Sequence, residues 1–379
     1  MPTTGYTRGL DRILFIFGTR PEAIKLCPLV RRLRSQPERF QVQVCATAQH
    51  RGMLDQVLDV FGVVPDFDLN LMQPGQTLSA LTARILAAVE PILAAERPRL
   101  VVVQGDTTTT LAGALSAFYQ RIEVAHVEAG LRTGDPGQPF PEEMNRVLTS
   151  RITAFHFAPT RGAEAALLRE GVDPRRVFVT GNTGIDAVLR VRDELDNGSR
   201  QAPAWPWLDP GRRLILVTSH RRESFGPGFE NSMRALAQLA ARPDVQIVYP
   251  VHRNPQVLGP AHAWLAGLAN VVLLDPLPYV PFVDLMRRSY LIVSDSGGIQ
   301  EEAPSLGKPV LVLREKTERP EAVEAGTVKL VGTSERRIVE EATRLLDDPA
   351  EYARMTAIHN PYGDGHACER IADVLAREL

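Results

Sequence analysis

The sequence predicts an α/β protein with two doubly wound domains that face each other across a cleft. Short apolar segments, each long enough for one buried strand, alternate with helical patterns along the chain. Parallel sheets covered by helices on both faces have this pattern. The same alternation restarts in the second half of the chain. The length, 379 residues, exceeds what one hydrophobic core usually spans and suits two domains.

Predicted strands and helices alternate through the first half. The first strand covers residues 12–17, and a helix follows over residues 21–33, with Pro21 suited to its first turn. A long helix spans residues 77–95 and is expected to kink or break at Pro91. The other predicted elements of this half are strands 42–47, 100–103, 123–127 and 154–158 and helix 53–61.

The second half restarts with strands that again read as short apolar runs. We place the domain boundary near residue 180, which gives domains of residues 1–180 and 181–365. The polar, turn-rich segment 196–206 is either the linker or a surface loop close to it. The predicted strands of the second domain are 213–218, 245–249, 271–274, 290–293 and 309–313.

Composition narrows the classes of partner. With 44% hydrophobic and 23% charged residues, the chain is typical of a soluble globular protein. A net charge of −2 and a pI near 6.5 do not provide the basic surface that nucleic acid requires, so no nucleic acid is expected. No uninterrupted apolar run approaches the ~18–20 residues that cross a bilayer, so no membrane is expected as a partner. The first ten residues lack the apolar core of a signal peptide, which predicts a cytoplasmic protein.

Motifs for cofactors and metals are missing from the sequence. No G-x-G-x-x-G follows a strand, and neither a P-loop nor an H-E-x-x-H occurs, so no nicotinamide cofactor or catalytic zinc is expected. The lone D-x-D formed by Asp66 and Asp68 stands in a predicted loop, and a structural role is favoured over metal binding. Cys27, Cys45 and Cys368 have no metal-ligand spacing and are expected to be buried thiols without a disulfide.

A Ser-Gly-Gly turn follows the fourth predicted strand of the second domain and opens a short helix. Ser296, Gly297 and Gly298 would leave backbone N–H groups free at the positive end of the helix dipole, an arrangement that binds phosphate. The two glycines allow an anion to approach the main chain closely. Glu301 and Glu302 are expected in the first helical turn, where a carboxylate could accept hydrogen bonds from sugar hydroxyls.

Several other predicted strands end in charged residues. Asp106, Glu128 and Glu142 follow strands of the first domain or stand shortly after them. Cationic groups follow two further strands, namely Arg20, Lys25 and His220. Taken singly, each carboxylate could cap or begin a helix. Because the carboxyl ends of parallel strands share one edge of a sheet, the set predicts acid–base chemistry on a substrate with an anionic leaving group.

These segments together resemble the non-hydrolysing UDP-N-acetylglucosamine 2-epimerase family. The motifs occur in the family's order and cover residues 17–365, almost the whole chain. They read FGTRPEAIK, TAQHR, GDTTTT, HVEAGLRT, PEEMNR, HRRESFG, YPVH, SDSGGIQEEAPSLGKPVL, TERPEAV, GT and HNPYGDG.

The resemblance implies both a fold and an activity. The fold would be like that of the GT-B glycosyltransferases, with two Rossmann-like domains, the substrate between them, and a helix over residues 366–379 packing back on the first domain. The family works without a metal or other cofactor, generally as a homodimer. It converts UDP-N-acetylglucosamine reversibly to UDP-N-acetylmannosamine, which would supply a precursor of surface polysaccharide.

The chemistry agrees with this resemblance. The C2 proton of the sugar is not next to a carbonyl and is too weakly acidic for direct removal by a side chain. Transient oxidation needs a nicotinamide, whose fingerprint is missing. The remaining route expels UDP from C1 as the C2 proton leaves, gives 2-acetamidoglucal, and re-adds UDP with a proton on the opposite face.

By resemblance, particular residues of this chain take part in that reaction. The catalytic residues are Asp106, Glu128, Glu142 and His220. The substrate-binding residues are Arg20, Lys25, Gln49, His50, Arg146, Arg221, His252, Ser296, Gly297, Gly298, Glu302 and Arg319. In that set the Ser-Gly-Gly turn would hold phosphate oxygens and Glu302 the ribose hydroxyls. Which carboxylate takes the proton and which returns it stays open.

Three other functions share parts of this pattern. A hydrolysing 2-epimerase would release free N-acetylmannosamine and UDP. A GT-B glycosyltransferase would share the fold and the phosphate turn but use an acceptor sugar. A nucleotide-sugar-binding regulatory protein would bind the same ligand without turnover.

Overall fold

The computed structural model describes residues 10–47, 51–73, 75–221 and 225–379. The chain divides into two compact units. Unit 1 takes in Met1–Ala187 and Gly365–Leu379, and unit 2 takes in Val188–Asp364.

Unit 1 alternates strands and helices, and its last helix comes from the C-terminus of the chain. Its strands are β1 (Asp11–Phe17), β2 (Phe40–Ala46), β3 (Phe67–Asp68), β4 (Leu100–Gln104), β5 (Glu123–Val127), β6 (Phe155–Ala158) and β7 (Val177–Val179). Its helices are α1 (Arg20–Arg34), α2 (Arg51–Phe61), α3 (Leu78–Glu96), α4 (Thr108–Tyr119), α5 (Glu142–Ile152), α6 (Arg161–Arg169), the start of α7 (Thr183–Asp196) and α15 (Ala367–Glu378).

Unit 2 repeats the alternation. Its strands are β8 (Arg213–Thr218), β9 (Val245–Pro250), β10 (Val271–Leu274), β11 (Leu291–Ser294), β12 (Val310–Val312) and β13 (Val328–Leu330). Its helices, besides the end of α7, are α8 (Pro227–Ala240), α9 (Pro255–Leu265), α10 (Tyr279–Arg288), α11 (Gly297–Glu302), α12 (Pro320–Ala325), α13 (Glu335–Asp347) and α14 (Pro349–Thr356).

Each unit has one parallel sheet, in which the strand order reverses once. The order is β3-β2-β1-β4-β5-β6-β7 in unit 1 and β10-β9-β8-β11-β12-β13 in unit 2. The switch points therefore lie between β1 and β4 and between β8 and β11, and ligands of such sheets bind at the carboxyl ends of the strands there. The prediction of two doubly wound α/β domains is confirmed.

The central strands match the predicted ones closely because they are buried on both faces and read as continuous apolar runs. β1, β4 and β8 lie almost wholly in the core. β3, β7 and β13 were not predicted. All three are edge strands of two or three residues, too short for an apolar run to mark them.

Helix α3 departs from its prediction in two ways. It continues through Pro91 without a break. By length and composition it is also long and apolar enough to cross a membrane, although no uninterrupted apolar run was recognised there. Its residues Leu81, Ile85, Val89 and Leu93 recur every fourth position and are buried in the core of unit 1, so one face of α3 packs within that unit.

The boundary between the units falls inside α7, between Ala187 and Val188. The predicted linker segment 196–206 lies within unit 2, where the indole of Trp205 donates to Asp284 at 2.7 Å. Helix α15 lies in unit 1 and packs on α1. The backbone N–H groups of Ala367 and Cys368 donate to the Asp186 carboxylate at 3.2 and 2.8 Å, which anchors the start of α15.

Residues considered for metal or disulfide chemistry have structural roles. The Asp66 carboxylate accepts from the Arg34 guanidinium at 3.0 Å and from the backbone N–H of Val44 at 2.8 Å. Among the described residues no cluster of three potential metal ligands occurs. The three cysteines are free and buried, as predicted, and burial raises the pKa of Cys27 and of Cys45 to about 12.

Candidate active site

The carboxyl end of β1 runs directly into α1. Thr19 caps the helix, and the Glu22 carboxylate accepts from the Thr19 backbone N–H at 2.7 Å, which completes a capping box. Arg20 is the first residue of α1, and Lys25 stands about one turn later. The cap therefore fixes the start of the helix that carries both predicted cations.

Glu22 also ties β1 to β4 across the switch point of unit 1. Its side chain is buried and accepts from the hydroxyls of Thr107 at 2.7 Å and Thr110 at 3.2 Å. Burial raises the pKa of Glu22, while the hydrogen bonds from Thr19 and Thr107 lower it. The residues predicted from sequence did not include Glu22, whose signal was the capping box T-x-x-E.

Asp106 follows β4 and is held on both its backbone and its side chain. Thr107, not Asp106, caps α4, so the Asp106 carboxylate is available for other contacts. Arg146 lies 3.0 Å from Asp106 Oδ2, and the Asn145 amide donates to the Asp106 carbonyl at 2.9 Å. The Asp106 side chain is 31% exposed, whereas that of Arg146 is only 5% exposed. Arg146 therefore acts on Asp106 from inside the protein.

Helix α5 brings the third predicted carboxylate onto the same side. Glu142 is its first residue, and Asn145 and Arg146 follow at positions i+3 and i+4, so all three share one helix face. Pro141 precedes the helix, and no side chain caps it. Among the described residues the Glu142 carboxylate has no ion-pair partner, and the side chain is partly exposed. Glu142 therefore does not serve as a cap.

Glu143 anchors this helix turn. Its buried carboxylate lies 3.4 Å from Arg146 Nε and accepts from the backbone N–H groups of Thr133 at 3.1 Å and Gly134 at 3.0 Å. Arg146 thus bridges a buried carboxylate and a partly exposed one. The sequence prediction did not single out Glu143 or Asn145.

Glu128 lies at the end of β5 in an unusual backbone conformation. Its φ is +65°, which is uncommon for a residue with a side chain. One carboxylate oxygen contacts Lys25 and the other accepts from the Gln104 side chain. Lys25 and Glu128, predicted from separate strand ends, are therefore brought together.

Two histidines lie beneath these carboxylates. His126 on β5 is in register with His156 on β6, and its Nε2 lies 2.7 Å from the Gly105 carbonyl, next to Asp106. Burial lowers the pKa of His126 to about 3 and that of His156 to about 4. Both rings are therefore neutral at pH 7 and belong to the support of the site.

At the switch point of unit 2, a buried aspartate joins β8 to β11. Asp295 Oδ2 accepts from the Ser219 hydroxyl at 3.0 Å and from the backbone N–H groups of His220 at 2.7 Å and Arg221 at 2.8 Å. The Tyr249 hydroxyl donates to the Ser219 carbonyl at 2.7 Å. Asp295 was not among the predicted site residues, although it stands inside the SDSGG motif.

His220 and His252 form a stacked pair beside this aspartate. Their ring centroids lie 5.6 Å apart, with an interplanar angle of 16°. His252 Nδ1 accepts from the backbone N–H of Asn254 at 3.1 Å. Burial lowers the pKa of His220, while the negative charge of Asp295 opposes that shift. The fold thus brings together His220 and His252, which the sequence placed after different strands.

The Ser-Gly-Gly turn follows β11, and Ser296 is the residue before α11. The Ser296 backbone N–H donates to the Ser294 hydroxyl at 3.0 Å, so it is not free as the sequence predicted. The helix begins at Gly297, so Glu301 and Glu302 are its fifth and sixth residues rather than part of its first turn. Glu301 is buried and lies 2.9 Å from Arg319 Nε. A Cβ added at Gly297 would lie 2.7 Å from Arg319 Cζ, so the guanidinium packs directly over this glycine.

Glu302 and Gly298 are less closely packed than Glu301 and Gly297. Glu302 is partly exposed, and its Oε1 is the nearest atom to a Cβ added at Gly298, at 3.8 Å.

Gln49 and His50 lie outside the described residues, as do residues 222–224 of the HRRESFG motif.

The two switch points carry different chemical groups. Unit 1 presents carboxylates held by cations, and unit 2 presents a histidine pair and a glycine turn. Fold and site together define a protein with two Rossmann-like α/β units, each with polar groups at its switch point.

Comparison with known proteins identifies the family. The family model for UDP-N-acetylglucosamine 2-epimerase matches residues 31–376. A UDP-N-acetylglucosamine 2-epimerase of Escherichia coli K12 is 59% identical over 369 residues, 96% of this chain and 98% of that protein. One from Salmonella typhimurium is 58% identical over the same coverage. The chain belongs to the UDP-N-acetylglucosamine 2-epimerase family.

Solved structures agree with this assignment. A Neisseria meningitidis UDP-GlcNAc 2-epimerase bound to UDP-GlcNAc has a TM-score of 0.91 and 47% identity, covering 97% of this chain and 100% of that one. A Methanocaldococcus jannaschii enzyme in complex with UDP-GlcNAc and UDP has a TM-score of 0.79 and 34% identity, with 97% and 99% covered. The glycotransferase of kitacinnamycin, at 14% identity and a TM-score of 0.67, shares the fold alone.

Proposed function

We propose that the protein interconverts UDP-N-acetylglucosamine and UDP-N-acetylmannosamine by inverting C2, without net hydrolysis and without a metal or nicotinamide. The observation that carries this proposal is the carboxylate set at the switch point of unit 1. Asp106 is held by Arg146, and Glu142 stands on the same face of the helix that supplies Arg146. The relatives named as UDP-N-acetylglucosamine 2-epimerases, and the Neisseria structure with UDP-GlcNAc, support the substrate.

The reaction divides into an elimination and an addition. In the elimination, a carboxylate takes the C2 proton and the C1–O bond breaks, so the electron pair of that bond leaves on the diphosphate of UDP. The other product is 2-acetamidoglucal. In the addition, a diphosphate oxygen attacks C1 while a carboxylic acid delivers a proton to the opposite face of C2.

Asp106 and Glu142 are the two acid–base groups in this proposal. Each has a partly exposed carboxyl group, which a substrate can reach. Glu128 is more enclosed, with its side chain 7% exposed, and both of its oxygens are engaged by Lys25 and Gln104. Glu128 therefore serves to hold Lys25 in place rather than to exchange protons in each turnover.

The remaining residues grip the diphosphate and the nucleotide. Gly297 and Gly298 supply backbone N–H groups, Arg20 and Lys25 supply positive charge, and His220 faces the leaving group. Glu302 takes the ribose hydroxyls, because its partly exposed carboxylate flanks the glycine turn. Strong retention of UDP is required, since UDP must leave C1 and return to it.

Proton NMR of UDP-N-acetylglucosamine with the purified protein in heavy water tests the function. Expected are UDP-N-acetylmannosamine as the product and deuterium at C2 of both epimers, with no requirement for NAD or magnesium and no effect of EDTA. Free N-acetylmannosamine with UDP would instead identify a hydrolysing enzyme. Turnover only after an acceptor sugar is added would identify a glycosyltransferase.

We also propose a homodimer. The packed helices α4 and α5 leave large apolar side chains exposed, namely Phe118, Tyr119, Met144 and Leu148. Exposed apolar clusters of this kind mark interaction surfaces. Light scattering should give twice the chain mass of 41.8 kDa, and Tyr119→Glu should reduce it toward the monomer value. A location in the cytoplasm stays a prediction.

A further inference from the structure

Asp295 has a carboxylate oxygen that its hydrogen bonds do not explain. The side chain is fully buried, and Oδ2 accepts from all three of its hydrogen-bond donors. Oδ1 is also buried, and no donor of the described residues lies within hydrogen-bond distance of it. A buried carboxylate oxygen without a donor is costly, so a partner for Oδ1 is expected in some state of the protein.

The nearest candidate for that partner is His220. Its Nδ1 lies 3.7 Å from Asp295 Oδ1, only slightly beyond a hydrogen bond, and a small rotation of the ring would close this gap. The backbone N–H of His220 already binds Oδ2 of the same carboxylate at 2.7 Å. The main chain of His220 is therefore fixed relative to Asp295, and only the ring has to move.

The opposite side of the ring is accessible. The His220 side chain is 44% exposed, whereas Asp295 is buried. Because Nε2 lies across the imidazole from Nδ1, a ring that donates Nδ1–H to Asp295 turns Nε2 away from the buried carboxylate. His252 stacks on one face of the ring and limits its tilt.

We propose that Asp295 is a positioning residue for His220, accepting Nδ1–H so that Nε2–H of the imidazolium donates to the diphosphate as UDP leaves C1. This inference rests on the proposed function and adds to it the origin of the leaving-group stabilisation. No proton is transferred from His220 in the step. The C1–O electron pair goes to the diphosphate oxygen, the C2 proton goes to the carboxylate base, and the imidazolium stabilises the new negative charge.

The charges around His220 are consistent with an imidazole that becomes protonated when the substrate binds. Burial lowers the pKa of His220, and the electrostatic influence of His252 and Arg221 acts in the same direction. Asp295 is the group that opposes them. Tyr249, which packs from β9, contributes a neutral hydroxyl bonded to the Ser219 carbonyl. A bound diphosphate adds negative charge beside the ring, so ligand and Asp295 together favour the imidazolium.

Asp295→Asn tests this role with little change in shape. The amide oxygen can still accept the three donors of Oδ2, while the NH2 group replaces Oδ1 and faces His220 Nδ1. A neutral ring then accepts from the amide, and the imidazolium loses its counter-charge. We expect kcat/KM for UDP-N-acetylglucosamine to fall about ten- to hundredfold. The basic limb of the pH–rate profile should move to lower pH by about one unit or more.

Asp284→Asn is the matched control. Asp284 is a fully buried aspartate of the same unit that pairs with Arg287 and Arg288. The Asp284→Asn substitution should lower stability without moving the basic limb of the pH–rate profile.

A double variant tests whether the two residues act together. In a His220→Asn background, Asp295→Asn should lower kcat/KM little further, since both substitutions remove the same His220–Asp295 interaction.

A second measurement keeps the proposal testable if Asp295→Asn does not fold. In the wild-type protein with UDP bound, NMR of labelled histidines should show a downfield Nδ1 proton that disappears in His220→Asn. The exposed His262 provides the internal reference. An unshifted pH profile in folded Asp295→Asn, or no such proton in the wild type, would overturn the role of Asp295. Failure of the wild type to epimerise would overturn the proposed function instead.

Discussion

The two switch points hold their carboxylates with different kinds of partner. In unit 1, Asp106 and Glu128 each contact a cation, Arg146 and Lys25. In unit 2, Asp295 is held by neutral donors of the β8 exit, and the nearest cationic candidate, His220, remains 3.7 Å away. The first arrangement pairs each carboxylate with a cation. The second surrounds the carboxylate with neutral donors and leaves a histidine just beyond hydrogen-bond distance.

The turns at these switch points differ as well. Unit 1 uses Glu128 at a positive φ where glycine is more usual, and its carboxylate contacts Lys25 and Gln104. Unit 2 uses Gly297, which the Arg319 guanidinium covers, and Gly298, where no atom lies closer than 3.8 Å to an added Cβ. Unit 1 thus presents carboxylate side chains at its switch point, whereas unit 2 presents a glycine turn.

The largest effect is expected from removing the acid–base carboxylates of unit 1. Asp106→Asn and Glu142→Gln should each lower the epimerisation rate by roughly 10²–10⁴. In heavy water, one of the Asp106 and Glu142 variants should still exchange C2 of UDP-N-acetylglucosamine only, and the other that of UDP-N-acetylmannosamine only. The pattern would assign each carboxylate to one face of the sugar.

The exposed Glu38→Gln serves as the control for these variants and should keep full activity. Loss of exchange at both epimers in both variants, with the fold intact, would contradict the assignment of Asp106 and Glu142 to opposite faces.

Removal of the buried cation Arg146 should lower the stability of unit 1, besides releasing Asp106. Arg146→Gln leaves Glu143, which is 3% exposed, without its ion-pair partner, and breaking such a pair costs about 3–5 kcal/mol. Hydrogen exchange of the α5 amides should therefore accelerate. The three tryptophans, Trp205, Trp207 and Trp264, all lie in unit 2, so their fluorescence in urea reports that unit separately.

The matched control on the same helix is Arg151→Gln. The Arg151 side chain is 55% exposed and lies 3.9 Å from Glu170, so its loss should cost no more than about 1 kcal/mol. Equal exchange rates in the two variants would show that Arg146 does not support the helix as described.

The glycine turn of unit 2 can be tested with two neighbouring substitutions. Gly298→Ala meets no atom closer than 3.8 Å in the free protein, so its stability should be unchanged while UDP affinity falls by about 1–3 kcal/mol. Gly297→Ala must displace Arg319 and should lower both stability and affinity. Calorimetry with UDP and thermal unfolding separate these effects. Unchanged UDP affinity in Gly298→Ala would reduce the turn to a structural corner.

The smallest effect concerns the pH dependence of unit 1. Burial lowers the pKa of His156 to about 4, below its unfolded value of ~6.5, so the unfolded state binds more protons between those values. His156 therefore contributes stability above pH ~6.5 that is lost as pH falls toward 4. His156→Gln should flatten the stability-versus-pH slope by up to about 1.4 kcal/mol per pH unit. His262→Gln, on an exposed position of unit 2, should leave the slope unchanged.

The sequence alone determined the central strands, the fold class and the residue types at the strand exits. Strands such as β4 and β11 are buried on both faces, so they appear as unbroken apolar runs, and the polar residues that follow them must lie at the carboxyl edge of a parallel sheet. The Ser-Gly-Gly turn was recognisable because adjacent glycines allow a tight turn and a close approach to the main chain, and adjacent residues can be seen in the sequence.

The pairing of these residues follows from the fold and cannot be read from the sequence. Arg146 contacts Asp106 from 40 positions away, and Asp295 binds the His220 backbone 75 positions away. Such contacts depend on the order of strands in each sheet, which no local pattern encodes. Glu22 stands in a capping box and Asp295 in the SDSGG motif, but neither motif names the partners that these buried carboxylates find in the fold.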